Sequence, residues 1–207
     1  PENSVKLSEP DGRNMLIYHQ MPLTITPKYD LHKTYGDPDP SFAVTEQYVT
    51  FEYNEDSHAD PKADFAKAVL TRESGENAGT YPIYAGTIYD QPMAKNYRIS
   101  FTNDVRFTIN KATAVINLRE STKVYGETIL RINIEDYIQG GTGLLEGTEE
   151  QKAEREQILK SITLVSGATS ASANVGEYAL EAIYSQPLNY DLTVVGSTIE
   201  VTPRPLT

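Results

Sequence analysis

The sequence predicts a mostly β chain built of two tandem modules, and three observations carry that expectation. The tetrapeptide Lys33-Thr34-Tyr35-Gly36 returns ninety positions later as Lys123-Val124-Tyr125-Gly126. Further anchors return around it in the same order. Much of the remainder consists of short runs that alternate apolar with polar residues and are rich in β-branched and aromatic side chains, the period and composition of half-buried strands.

The anchors define the repeat, which has to be found before any element is assigned. Upstream of each Tyr-Gly lies an alternating run, Leu23-Thr24-Ile25-Thr26 and Ala114-Val115-Ile116-Asn117. Downstream, Gly79-Thr80-Tyr81 corresponds to Gly176-Glu177-Tyr178, and Asn96-Tyr97 corresponds to Asn189-Tyr190. Each copy closes on an alternating run, Val105-Arg106-Phe107-Thr108-Ile109 and Ser197-Thr198-Ile199-Glu200-Val201. The offset drifts from 90 to 97 and back to about 93, so insertions fall between anchors, as loops vary on a fixed frame. The organisation that follows is a leader or the end of a preceding repeat over residues 1–20, a first module over 21–110 and a second over 111–204. Arg204-Pro205-Leu206-Thr207 reads as the opening of a third copy, so the chain reads as a piece of a longer array.

Taken in order, Met15 to Tyr18 is a short apolar run that could end an earlier copy. Leu23 to Thr26 is a strand. Tyr35-Gly36-Asp37-Pro38-Asp39-Pro40 is a sharp loop, since glycine permits positive φ and each proline blocks ladder hydrogen bonds. Phe42-Ala43-Val44-Thr45 and Tyr48-Val49-Thr50-Phe51 read as strands. Asp60-Pro61 starts a short helix reaching residues 65–68, with proline at its first position. Residues 81–88 read as a strand, and 97–101 with 105–109 as a hairpin about Asn103-Asp104. The second copy repeats this order with a clearer helix, because Thr148-Glu149-Glu150-Gln151 is a capping-box pattern ahead of Ile158, Leu159 and Ile162. The order β-β-α-β-β-β suits a β-grasp-like module. An immunoglobulin-like sandwich is the alternative, in which Tyr81 and Tyr178 would be tyrosine corners.

This ordered set, Lys-x-Tyr-Gly, Gly-x-Tyr, Asn-Tyr-x-(Ile/Leu) and a closing strand, resembles the MBG domain of the Tyr-Gly type. The resemblance spans about residues 22–203, and the second copy departs from it after Tyr-Gly, where Glu127-Thr128 replaces Asp37-Pro38-Asp39-Pro40. It implies tandem modules of bacterial surface proteins and adhesins, an extracellular location, and no catalytic residues to transfer. Tyr35, Gly36, Tyr125, Gly126, Gly79, Tyr81, Gly176, Tyr178, Asn96, Tyr97, Asn189 and Tyr190 are its motif positions in this sequence. Surface modules of this kind sometimes carry a Lys–Asn isopeptide cross-link beside an acid, for which Lys33 with Asn96 and Lys123 with Asn189 are the recurring pairs.

Composition narrows the chemistry. Within 207 residues there is no cysteine, which excludes disulfides and thiolate metal sites. Lys and Arg total 18 against 29 Asp and Glu, a net charge of −11 that repels phosphate backbones and argues against nucleic-acid binding. No apolar run approaches the ~20 residues of a membrane-spanning helix. His19, His32 and His58 have no partner at metal-binding spacing, and Glu55, Asp56, His58, Asp60 and Asp64 lack the glycine and bidentate-Glu spacing of a calcium loop. Asp37 and Asp39, flanked by prolines, read as turn formers rather than a carboxylate pair. Gly140-Gly141-Thr142-Gly143 reads as a flexible turn, and no Gly-x-Ser-x-Gly elbow occurs. Neither a metal nor a cofactor is expected.

Fourteen tyrosines stand against five phenylalanines and no tryptophan. A tyrosine before glycine is expected to pin its loop by burying its ring and bonding its hydroxyl. Alternatively, Tyr29, Tyr35, Tyr48 and Tyr53 would form a sugar-stacking platform. The functional expectation is a monomeric, non-enzymatic stalk or spacer of a bacterial surface protein, anchored through parts of the parent outside this sequence. The near absence of linker at Asn110-Lys111-Ala112 would make it semi-rigid. The alternatives are an adhesin module for a glycan or host protein, and an accessory region of a secreted glycan-processing enzyme.

Overall fold

The computed structural model describes residues 4–8, 14–55 and 58–205, and for 4–18 the backbone alone. By compactness the chain forms two units, one of Pro1–Lys33 with Asp37–Asn110 and one of Thr34–Gly36 with Lys111–Thr207. The chain is mostly β, as expected.

The first unit opens with β1 (Ser4–Ser8) and β2 (Asn14–Tyr18), which pair antiparallel as a two-stranded ribbon. Its body contains β3 (Met21–Pro27), β4 (His32–Thr34), β5 (Val49–Tyr53), a single-turn helix α1 (Pro61–Asp64), β6 (Thr71–Arg72), β7 (Gly79–Tyr84), β8 (Tyr97–Phe101) and β9 (Arg106–Asn110). Alternation along β3 buries Met21, Leu23, Ile25 and Pro27, and this strand lies central in a three-stranded sheet of order β5-β3-β8. Its neighbour β5 runs antiparallel and β8 parallel. The remaining strands form a second sheet of order β4-β9-β7-β6. Phe107 on β9 is fully buried and meets the ring of Phe42 edge-on, and Phe65 after α1 meets Tyr97 of β8 in the same manner.

The second unit repeats that strand order. It contains β10 (Ala112–Leu118), β11 (Ser121–Val124), α2 (Ile134–Tyr137), β12 (Ile138–Thr142), α3 (Glu149–Ser161), β13 (Thr163–Val165), β14 (Gly176–Ile183), β15 (Tyr190–Val195) and β16 (Ser197–Thr202). Sheets of order β12-β10-β15 and β11-β16-β14-β13 correspond strand for strand to those of the first unit. Again the central strand of the small sheet, β10, buries every second residue and has one antiparallel and one parallel neighbour. One core takes side chains from both sheets and the helix, among them Ile116, Leu180, Tyr190, Ile199 and Leu159.

Two sheets facing one core is the layout of the sandwich alternative; a β-grasp holds its strands in one mixed sheet. The physical cause is the corner between β10 and β11. Only Arg119 and Glu120 separate these strands, yet they join different sheets, so the chain turns from one layer to the other. The same separation corrects the expected hairpin about Asn103-Asp104, because β8 pairs with β3 while β9 pairs with β7. Phe42 and Val44 are buried as an apolar run should be, but Ala43 makes only an isolated bridge to Val69 rather than a strand. The helix expected to reach residue 68 closes at Asp64, and the strand expected over 81–88 spans Gly79–Tyr84. Gly140-Gly141-Thr142 is strand rather than flexible turn, since glycine lets β12 lie close against β10, where a Cβ on Gly141 would come 2.7 Å from the Val115 carbonyl oxygen.

Helix α3 matches its sequence signal. The Thr148 hydroxyl accepts from the Gln151 amide at 3.2 Å, and the Gln151 side chain accepts from the Thr148 amide at 3.1 Å. Thr148→Ala is expected to cost about 1 kcal/mol, read as faster amide exchange in the first turn of α3. The open edge of the small sheet is also managed. Gln186 uses its amide to bond both the N–H and the carbonyl of Leu192 on β15, each at 2.8 Å, standing in for a neighbouring strand. No helix of the described residues is long and apolar enough to cross a membrane.

Candidate functional site

The lysine of the repeated motif is buried in both units, against the usual habit of the residue. On β4, Lys33 Nζ lies 2.7 Å from Asp39 Oδ1 and also donates to Glu76 Oε2. Arg72 closes the cluster from β6. Its Nε donates to Asp39 Oδ2 at 2.7 Å, while its Nη2 reaches Asp39 Oδ1 at 2.9 Å and Glu76 Oε1 at 2.6 Å. The same guanidinium donates to the carbonyls of Glu73 and Gly75 and lies 5.2 Å from the ring centroids of both Tyr81 and Phe107. Asp39 is therefore a fixed ion-pair partner rather than a turn former. Its carboxyl is held below the usual range first by Arg72, against the opposing effect of burial, and that of Glu76 first by Lys33.

In the second unit Lys123 does the same task with neutral partners. Its Nζ donates to the Glu127 carbonyl at 2.9 Å and to the Ser170 carbonyl at 2.5 Å. Neither lysine is arranged for the cross-link weighed from sequence. Lys33 is engaged by carboxylates, while Asn96 turns its amide to the Met93 sulfur and Asn189 donates to Glu154.

Gly79 and Gly176 lead into tyrosines with one shared geometry. The Tyr81 hydroxyl donates to the Asn77 carbonyl at 2.7 Å and that of Tyr178 to the Asn174 carbonyl at 3.0 Å, each four residues upstream. Both are the local clasp of a tyrosine corner. Tyr81→Phe and Tyr178→Phe are each expected to cost about 1 kcal/mol without changing the fold, checked by urea unfolding.

Where Asn96-Tyr97 and Asn189-Tyr190 start the parallel strands β8 and β15, a helical carboxylate lies beside each pair. In the first unit Tyr97 donates to Asp64 Oδ2. In the second, Glu154 accepts from Asn189 at 2.8 Å through Oε1 and from Tyr35 at 2.6 Å through Oε2. The Tyr35 ring stands edge-on to Tyr190, 5.4 Å between centroids at 81°, and Tyr190 accepts a hydrogen bond from the Leu145 amide. Burial, then the neighbouring carboxylate, pushes the phenols of Tyr35 and Tyr97 well above their ordinary range. Gly36 has φ of 90° and sits so near Leu145 that a Cβ would come within 2.2 Å of it. The expectation of a pinned tyrosine thus describes Tyr35. It does not describe Tyr125, which is 43% exposed and makes no hydroxyl hydrogen bond among the described residues.

Of the four tyrosines weighed as a platform, Tyr29, Tyr48 and Tyr53 belong to the first unit and Tyr35 to the second. Tyr35 is seated against Tyr190, and Tyr48 and Tyr53 flank opposite ends of β5, about 17 Å apart at the rise of a strand. Tyr29 stands apart in a turn, 75% exposed. Among the described residues no group of three potential metal ligands is gathered, and Asp56 of the acidic loop lies outside them. Asp60 in that loop caps α1 by accepting from the Ala63 amide. Of the residues that hold the site, sequence reading did not single out Arg72, Glu76 or Glu154, and it gave Asp39 and Asp64 other roles, a turn former and a member of a solvated acidic loop. Only the recurrence of the motif lysine pointed toward any of them.

Residues 23–108 match the family model described as MBG domain (YGX type). The match runs from β3 into β9 and supports an MBG domain across the body of the first unit. No curated protein and no solved structure matches the chain.

Proposed function

We propose that the chain is a pair of MBG-type modules serving as a non-enzymatic, semi-rigid stalk or spacer of a bacterial cell-surface protein, held outside the cell by parts of its parent. One observation carries this reading. Two sets of residues that recur between the units are committed to holding their own loops, the motif lysines by internal ion pairs or carbonyls and the Gly-x-Tyr tyrosines by a backbone clasp. Recurrent groups used up internally suit a frame that presents something else. The match of the first unit to an MBG domain supports the surface setting. A single residue, Lys111, joins β9 to β10, and so short a connection limits the conformations the chain can take there.

A glycan and mucin array probed with the whole chain, with and without Ca²⁺, is expected to show no saturable binding. Solution scattering is expected to require only a narrow distribution of inter-unit geometries. Saturable binding lost on Tyr29→Ala or Tyr89→Ala, the two most exposed tyrosines among the described residues, would replace the spacer by the adhesin alternative. A broad ensemble in scattering would remove the semi-rigid element.

A further inference from the structure

The small sheets of the two units end differently at their parallel edge. Strands β8 and β15 are counterparts in register, since Tyr97 lies opposite Met21 as Tyr190 lies opposite Ala112. Ile99 therefore corresponds to Leu192, and Phe101 to Val194. In the second unit side chains close this edge. Gln186 bonds both the N–H and the carbonyl of Leu192. The Tyr184 hydroxyl donates to that same carbonyl and accepts from the Val194 N–H, each at 3.2 Å.

The first unit leaves the same edge open. The Thr102 N–H donates to the Ile25 carbonyl at 3.1 Å, so even-numbered residues along β8 turn their backbone groups toward β3 and odd-numbered ones turn theirs away. Among the described residues nothing bonds the N–H or carbonyl of Ile99 or of Phe101, or the carbonyl of Tyr97. Gln91, the glutamine of the corresponding connection, turns its amide back to the Thr87 carbonyl. The apolar side also lacks a neighbour, because Ile99 is only half-buried whereas Leu192 is 2% exposed. Strand β8 thus presents a run of open donors and acceptors, the arrangement that accepts a further strand.

We propose that β8 pairs antiparallel with β8 of a second copy of the chain, about a two-fold axis at Ile99. The two Ile99 residues exchange both N–H···O bonds, and the Phe101 N–H of each copy donates to the Tyr97 carbonyl of the other. The sequence of the strand suits this self-pairing. On the inner face Ile99 covers Ile99, which completes the apolar side that the edge leaves half-covered. On the exposed face Arg98 falls opposite Ser100 of the other copy, so like charges do not stand directly opposite each other. That match names the occupant, since two exposed residues of like charge would repel a second copy. The Tyr97 ring stays in its own core and takes no part. The contact is isologous and closes at two copies, in place of the monomer expected from the sequence. It is independent of the spacer reading, since a glycan result leaves it untouched.

The test is sedimentation velocity of the whole chain over rising concentration, in which the average mass is expected to climb to that of a dimer and no further. Hydrogen exchange read at single amides is expected to slow at Ile99 and Phe101 as the dimer fills. Leu192 and Val194 should not change, because their N–H groups are already bonded. Ser100 is exposed, so substitutions there leave the fold intact and tune the pairing in opposite directions. Ser100→Asp, set opposite Arg98, is expected to tighten association about fivefold and Ser100→Arg to loosen it about fivefold. Ile99→Pro removes the central donor from an edge position, where proline is tolerated, and is expected to stay monomeric. Should Ile99→Pro fail to fold, the two Ser100 variants decide alone. A wild type that stays monomeric at every concentration, a folded Ile99→Pro that dimerises, Ser100 variants that shift association in one direction, or a dimer that protects amides away from β8 would each overturn the proposal.

Discussion

Arg72→Ala is expected to destabilise the first unit by about 3 kcal/mol, at the lower end of the cost of breaking a buried ion pair because its partners are partly wet. The guanidinium side chain is 7% exposed, whereas Asp39 is 34% and Glu76 68% exposed. Its removal does three things at once. It leaves Asp39 with Lys33 as its sole cation, it orphans the carbonyls of Glu73 and Gly75, and it strips the faces of Tyr81 and Phe107 of their charge. Hydrogen exchange read peptide by peptide would show the loss in β6, β7 and β9, with the second unit unchanged.

Acid should act on the same cluster. Asp39 and Glu76 have folded pKa values depressed below the ordinary 3.8 and 4.5. A carboxylate that is more acidic when folded contributes stability above its unfolded pKa and loses it as pH falls through the folded one. The first unit is therefore expected to hold its full ion-pair contribution above about pH 5 and to lose it on acidification through pH 4 and below. At the alkaline end the sign reverses. Burial works to lower the pKa of Lys33, but Asp39 and Glu76 outweigh it and raise the folded value, so its contribution is complete below 10.5 and lost only as pH climbs through the raised value. In Arg72→Ala the acid-dependent part should shrink, which thermal melts at pH 7 and pH 4 would compare. An unchanged difference between those two melts would mean that the cluster is not what acid attacks.

Much of the frame was legible because it rests on local signals. Alternation marked β3 and β10, and the capping box located the start of α3 to the residue. The division of strands between two sheets was not legible, since β10 and β11 look like any successive pair until their partners, about eighty positions away, are known. Local reading also misjudged Asp39. Two flanking prolines said turn, while the cation that fixes the side chain lies 33 residues further on. Likewise, nothing within Lys-x-Tyr-Gly separates Tyr35 from Tyr125. The difference resides in Glu154 and Tyr190, more than a hundred positions from the tyrosine they hold. Motif recurrence showed which residues matter and left their partners unseen.

Lys123→Ala should be as damaging to the second unit as the loss of Arg72 is to the first, about 3 kcal/mol, but through different physics. Lys123 is 6% exposed and satisfies two carbonyls, those of Glu127 and Ser170. Hydrogen bonds from a charged donor contribute about 1.5–3 kcal/mol each, and truncation leaves both acceptors to find water or stay unpaired. It also frees the turn that carries Tyr125, because Glu127 is two residues beyond that tyrosine. Both acceptors of Lys123 are carbonyls, so its penalty should vary less between pH 7 and pH 4, and with added salt, than that of Lys33→Ala, which should fall under both conditions as its carboxylate partners protonate or are screened. Urea unfolding of both variants at two salt concentrations and two pH values would test the pair. If the two lysine variants respond alike, the neutral and the ionic clasp are not distinct devices, and the departure of the second motif from Asp-Pro-Asp-Pro to Glu127-Thr128 has no energetic meaning. If they differ as expected, one motif lysine holds its turn in two ways, and only the ionic one makes its unit sensitive to acid and salt.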